Sequence, residues 1–183
     1  MNIFLVGNGP TANISHMIDA ADLVIRMNKV PTFGRTTGTK TDWLVLVNTG
    51  DHGVELITNI EQNPAYSFCS EIVFPLSEDL LIEERKRLPE FPGFNNSSGL
   101  VSTHKPVRTV EKSIVDSLDQ KLRLTDQTYI MASTGMIMVE YLLSKFSHIN
   151  ICGFGHSGWS GHPWMAEQKL INTYIRSKRI TRI

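Results

Sequence analysis

The chain has 183 residues, enough for one domain with a hydrophobic core and short for two. A hydrophobic share of 41% and a charged share of 20% are ordinary for a water-soluble globular fold. Eighteen basic residues against eighteen acidic ones leave no net charge, which excludes a nucleic-acid binder that relies on a broad basic surface.

In chain order, "NIFLVG" (2–7) reads as a buried strand that ends in a glycine turn. "IFLV" is too short for a signal-peptide core, and Gly7-Asn8-Gly9-Pro10 breaks it at once. A helix is expected over 10–21, with Ile14, Met17, Ile18 and Ala21 on one face. Strands follow at 22–28 and 42–48, a helix at 53–63 and a strand within 68–76. A further helix is expected over 77–88, where a Ser cap and early acidic residues precede basic ones.

The stretch 89–106, "PEFPGFNNSSGLVSTHKP", breaks the rhythm and reads as a long loop, either a lid or a surface insertion. Beyond it come a helix over 107–122, a strand at 128–133, a helix at 134–146, a strand at 148–155 and a last helix from Pro163 to about Ser177. The basic tail "RSKRITRI" (176–183) reads as a solvated helix end.

Nowhere does an apolar run approach the roughly 20 residues of a membrane helix, so no transmembrane segment is expected. Cys69 and Cys152 each lie in or beside an apolar run and read as reduced core thiols, which suits a reducing compartment. The alternation of strands and helices predicts an α/β fold, a mostly parallel Rossmann-like sheet with helices on both faces. In such sheets ligands sit beyond the carboxyl ends of the strands. That rule directs attention to Gly7-Asn8-Gly9, Asn28, Asn48, Ser133-Thr134-Gly135 and the stretch from Gly153 to His162.

"GNGPTA" (7–12) fits a dinucleotide turn, in which glycine backbone and a helix start receive a phosphate. The second strand, however, ends in Asn28 where a dinucleotide site wants a carboxylate, which weakens an NAD or FAD reading. Asn8 and Asn28 are instead neutral amides at neighbouring strand ends, able to meet a base, a ribose or a phosphate, or to serve as plain turn residues.

"GRTTGTKT" (34–41) has the wrong glycine and lysine spacing for a P-loop and reads as a polar turn. "ASTGM" (132–136) places two hydroxyls at a helix start, which is an anion site or a simple cap. "GFGHSGWSGHPWMAE" (153–167) crowds glycines, two histidines and two tryptophans into one connection. Pro163 biases His162 toward an extended backbone. His162 and Glu167 are five residues apart, about 500° round a helix, so they lack the i, i+4 spacing of a helical zinc pair and no metal is expected.

These segments together resemble glycosyltransferase family 29, the eukaryotic-type sialyltransferases. "FLVGNGP", "LVIRMNKVPTFG" and "TGTKTDWLVL" stand in the order of the family's long motif. "ASTGMIMVEYLLSKFSHINICGFG" is similar to its short motif, and "HPWMAE" to its final His-x4-Glu. The likeness covers roughly 2–47, 131–155 and 162–167, and nothing in 48–130 carries it.

The resemblance implies a GT-A variant of the sialyltransferase-like fold, in one nucleotide-sugar-binding domain over 1–183. It implies inverting, metal-independent transfer of sialic acid, or a related acid sugar, from a CMP-sugar to a hydroxyl of a glycan acceptor, with no cofactor. By motif position, Asn8, Gly9, Asn28, Ser133, Thr134, Gly135 and Gly153 would bind the donor. His162 would be the general base, His156 a stand-in phosphate contact, and Glu167 a structural neighbour of the site.

Three departures matter. Only "HSGWSG" separates Gly155 from His162, where the family has a longer stretch. The family's paired cysteines are Ile3 and Phe146 here, so their disulfide cannot form. Together with the lack of an anchor, this implies a cytoplasmic, bacterial form. The short chain also implies an acceptor platform that is small, completed by a second copy in a homo-oligomer, or absent. A CMP-binding protein of the same fold without transfer activity is the alternative reading.

Overall fold

The computed structural model describes residues 1–95 and 97–183; Asn96, inside the expected loop 89–106, lies outside the described residues. Seven strands form one sheet: β1 (Ile3–Val6), β2 (Leu23–Met27), β3 (Trp43–Val45), β4 (Glu71–Phe74), β5 (Val107–Thr109), β6 (Ile149–Cys152) and β7 (Ile180–Arg182). Their spatial order is β5-β4-β3-β2-β1-β6-β7, and every pairing is parallel. The helices are α1 (Ser15–Asp19), α2 (Gly50–Thr58), α3 (Glu78–Arg87), α4 (Lys112–Arg123), α5 (Thr134–Lys145) and α6 (Trp164–Arg176).

A parallel sheet must be covered on both faces, and the alternating strand side chains show how. Ile3, Leu5, Ile25, Met27, Val45, Val73, Ile149 and Ile151 share one core with apolar residues of α3, α4, α5 and α6. On the opposite face Leu44, Leu46, Ile72 and Phe74 pack with Leu56 and Ile57 of α2, while Phe4, Val6, Val24 and Cys152 pack with Ile14 and with Ile18 of α1. The chain starts at the centre with β1, moves outward to β5, and returns to place β6 on the other side of β1. The topological switch point therefore lies between β1 and β6.

Arg26 is fully buried within β2. Its guanidinium donates to the Thr37, Gly38 and Lys40 carbonyls and to the Thr37 and Thr41 hydroxyls. The 34–41 turn is thus a polar plug shaped around one cation, and burial lowers that cation's pKa to about 10. Cys69 and Cys152 are buried and unbridged, and burial pushes the Cys152 thiol up to about 11.

Four expectations are corrected. The helix expected over 10–21 is only α1, because Thr11 Oγ1 and Ile14 N are held by Thr36, at 2.7 and 2.8 Å. Met17 is consequently exposed, while Ile14, Ile18 and Ala21 are buried. The strand expected at 128–133 joins no ladder; the amides of Ile130 and Met131 both bond to the Gly161 carbonyl, at 2.9 and 3.3 Å. The helix expected over 107–122 divides into β5 and α4.

The tail is no solvated helix end. α6 stops at a Schellman motif, with Lys178 N on Ile175 O at 3.0 Å, Arg179 N on Tyr174 O at 2.9 Å and Lys178 at φ 59°. The chain then enters the sheet as β7. The expected loop at 89–106 contains two short 3-10 turns, Pro92–Phe94 and Ser98–Leu100, and buries Phe94. Arg85 Nε donates to the Phe94 carbonyl at 2.7 Å, and Ser97 N to the Asn48 carbonyl at 3.1 Å.

Candidate active site

At the switch point the ends of β1 and β6 press together. Gly7 N donates to Cys152 O and Gly9 N to Gly153 O, both at 2.8 Å. A Cβ on Gly7 would lie 2.3 Å from the Gly153 oxygen, and one on Gly9 would lie 2.9 Å from it. Both positions therefore require glycine. Their amides belong to the β1–β6 junction and do not form an anion cradle. No helix starts there either, since α1 begins only at Ser15.

The helix start that faces the same space is that of α5. Ser133 is its N-cap, with Oγ accepting from Met136 N at 3.2 Å. Glu167, 2% exposed on α6, accepts from Ser133 N and from Ser133 Oγ, each at 2.7 Å. Burial raises the Glu167 pKa, and the two Ser133 bonds oppose that rise. Thr134 and Gly135 are the first helical residues, whose amides have no intrahelical acceptor and point out of the helix end.

These groups line a cavity of about 340 Å³. All ten residues assigned by motif position reach it: Asn8, Gly9, Asn28, Ser133, Thr134, Gly135, Gly153, His156, His162 and Glu167. Asn48, also at a strand end, does not line it but is buried, with its Nδ2 donating to the Leu76 carbonyl at 2.9 Å. Asn28 adopts φ 53°, and its Oδ1 accepts from Val47 N at 2.9 Å. Its oxygen is thus committed, and the amide nitrogen is the group left for a ligand. His156 is also left-handed, at φ 48°, and its Nε2 is buried without a hydrogen-bond partner. Burial, aided by Arg182, lowers the His156 pKa. The sequence reading missed Arg182, which donates to the Phe154 carbonyl from β7, and the Phe154 ring, which packs against Gly135. Phe154 stood inside a quoted motif; nothing in the tail's composition signals Arg182.

A second cavity of about 300 Å³ lies beyond β3 and β4, with walls that include Val47, Leu76, Phe91, Met131, Ile137 and Trp159. Thr134 and His162 line both cavities. The His162 ring is gripped edge-on by Trp159 and Trp164, with centroids at 4.8 and 5.0 Å. Its Nδ1 bonds to the Met131 carbonyl at 2.9 Å, so Nδ1 carries the proton and Nε2 the lone pair. Burial lowers the His162 pKa against the opposing effect of that bond, which keeps the ring neutral near neutral pH. Pro163, the expected first residue of the last helix, is the N-cap of α6, which begins one position later at Trp164. No cluster of His, Cys, Asp or Glu suited to a metal ion occurs among the described residues, and no described helix is long and apolar enough to cross a membrane.

Comparison with known proteins bears on this arrangement. The chain is 27% identical over 201 residues to the urease operon 23 kDa accessory protein of Rhizobium meliloti, covering 99% of this chain and 92% of that one. A mammalian sialyltransferase matches with a TM-score of 0.65 at 16% identity, over 100% of this chain and 68% of that one. The sialyltransferase CstII from Campylobacter jejuni, in complex with the substrate analogue CMP-3FNeuAc, matches with a TM-score of 0.58 at 14% identity, over 99% and 78%. At such identities these structures establish the shared fold. The family model described as glycosyltransferase family 29 (sialyltransferase) matches residues 4–174. The chain belongs to glycosyltransferase family 29.

Proposed function

We propose that the protein transfers a sugar, sialic acid or a related acid sugar, from a CMP-sugar to an acceptor hydroxyl. The observation that carries this reading is the pair of adjoining cavities with His162 and Thr134 in their common wall. A two-substrate transfer needs donor and acceptor in contact across one base. The polar cavity takes the donor. There the Asn8 and Asn28 amides, the α5 amides and Thr134 offer neutral donors to a nucleoside monophosphate, and Phe154 offers π surface to its base.

The acceptor hydroxyl lies against His162 Nε2. As its oxygen bonds to the anomeric carbon, its proton passes to Nε2. The anomeric carbon–phosphate oxygen bond breaks from the opposite face, and CMP leaves with the electron pair. That geometry inverts the anomeric centre and requires no metal. His156 faces the departing phosphate, and Glu167 positions Ser133 without touching substrate.

Titration with CMP and turnover of CMP-sialic acid test the reading together. CMP is expected to raise the melting temperature while NAD and UDP do not. His162→Ala is expected to keep CMP affinity within about threefold and to lose at least a hundredfold in transfer. Full turnover by that variant refutes the base assignment.

A second reading, CMP binding without transfer, is favoured by one observation: the Rhizobium meliloti relative is named an accessory protein. CMP binding with no turnover across a broad acceptor panel selects it.

A further inference from the structure

We infer that the acceptor is amphipathic: its reactive hydroxyl belongs to a molecule with a largely apolar body, and that body fills the second cavity. This rests on the transferase reading above and names the substrate class of the same site. The cavity is walled on most sides by hydrocarbon and aromatic surface from Val47, Leu76, Phe91, Met131, Ile137 and Trp159. Its polar side chains stand at two places. Thr134 and His162 occupy the wall shared with the donor, and Thr49, Asp51 and His52 cluster at the start of α2. His52 is already turned toward Glu55, with Nδ1 to Oε2 at 3.4 Å.

A fully hydroxylated saccharide in this space would bury some hydroxyls against the hydrocarbon part of the wall, which offers them no partner, and each one weakens binding. An alkyl or aryl body meets the opposite situation. Phe91 and Trp159 lie 5.7 Å apart at 32°, and Trp159 stands perpendicular to the His162 ring. The two rings pack on each other in the cavity wall, and Trp159 carries that aromatic surface up to the base. At about 300 Å³ the space suits a small-molecule body, and each methylene it buries strengthens binding about fourfold.

The test compares hexyl β-D-galactopyranoside, held below its micelle threshold, with methyl β-D-galactopyranoside, by calorimetry at saturating CMP. The hexyl compound is expected to bind at least tenfold tighter and to leave CMP affinity unchanged. Phe91→Ala and Trp159→Ala, both at partly exposed positions, are expected to cut that preference to threefold or less while CMP still binds.

Equal affinities overturn the inference, as does displacement of CMP by the hexyl compound or a preference that survives both substitutions. The wild-type ratio and the competition decide the matter even where a variant folds poorly. If CMP itself fails to bind while the Phe91-dependent preference persists, the donor reading falls and the occupant of this cavity stands.

Discussion

The cavity beyond β1 and β6 has glycine backbone, two asparagine amides and hydroxyls in its wall beside Met27, Phe154 and Trp164, whereas its neighbour beyond β3 and β4 is walled mainly by aromatic and aliphatic side chains. In the first, positions are set by close backbone contact and hydrogen bonds: two glycines let the strand ends touch, and a carboxylate holds the α5 cap. In the second, positions are set by packing among segments distant in sequence, from Val47 to Trp159. A backbone-built wall tolerates almost no added atom. A side-chain wall repacks, at a cost that depends on volume. The first wall is thus the less adaptable of the two, and the second can change its shape by side-chain substitution.

Substitutions can break or sharpen that contrast. The largest effect is expected from Gly7→Ala. Its methyl group cannot coexist with the Gly153 oxygen at 2.3 Å, so β1 and β6 must part. Loss of about 1–3 kcal/mol in denaturant unfolding is expected from overpacking, with CMP affinity falling at least thirtyfold. An unchanged CMP titration would show that the strand ends do not shape the cavity.

Glu167→Ala follows. It strips the acceptor from a buried Ser133 amide, which costs about 1–3 kcal/mol. Thermal unfolding should show that loss, and CMP affinity should fall because the α5 cap is released. Equal stability of variant and wild type would mean that the Ser133–Glu167 pair holds nothing in place.

Asn28→Asp is milder. One oxygen can still accept from Val47 N, and aspartate tolerates the left-handed backbone, so the melting temperature should change little. The free amide nitrogen becomes a carboxylate, and CMP binding should weaken about tenfold, more at low salt. Asn28 would lose its assigned role if CMP bound equally well to both proteins.

The smallest effect concerns pH. Burial holds His162 below the ordinary histidine value, and only its neutral form accepts a proton. Transfer should therefore fall on the acid side with a midpoint below about 6.5. A midpoint above that value would place another group in control.

The strand ends that line the cavity beyond β1 and β6 were legible because buried parallel strands are short apolar runs closed by glycine or asparagine, as at Val6-Gly7 and Met27-Asn28. Failures occurred where tertiary partners overrode local pattern. Ile130 and Met131 have strand-like side chains but give their amides to Gly161, and it is this tie that carries His162 into place. The end of α6 was legible at about Ser177, its C-cap, but the turn that sends the chain back into the sheet as β7 was not, because a lysine holds the left-handed position where glycine is the usual signal. β5 and β7 are three-residue edge strands, too short for alternation to register. The apolar cavity left no motif, since its wall is assembled from segments each of which looks like ordinary core.

β7 runs parallel to β6, and Ile183 N bonds to Ile151 O at 3.0 Å. Polypeptide fused after Ile183 must therefore emerge on the cavity-bearing rim, at the carboxyl ends of the strands and beside the Arg182–Phe154 contact. A fusion ahead of Met1 departs from the far end of the sheet. Affinity handles and reporter proteins belong at the amino terminus, where they leave the entrance unobstructed.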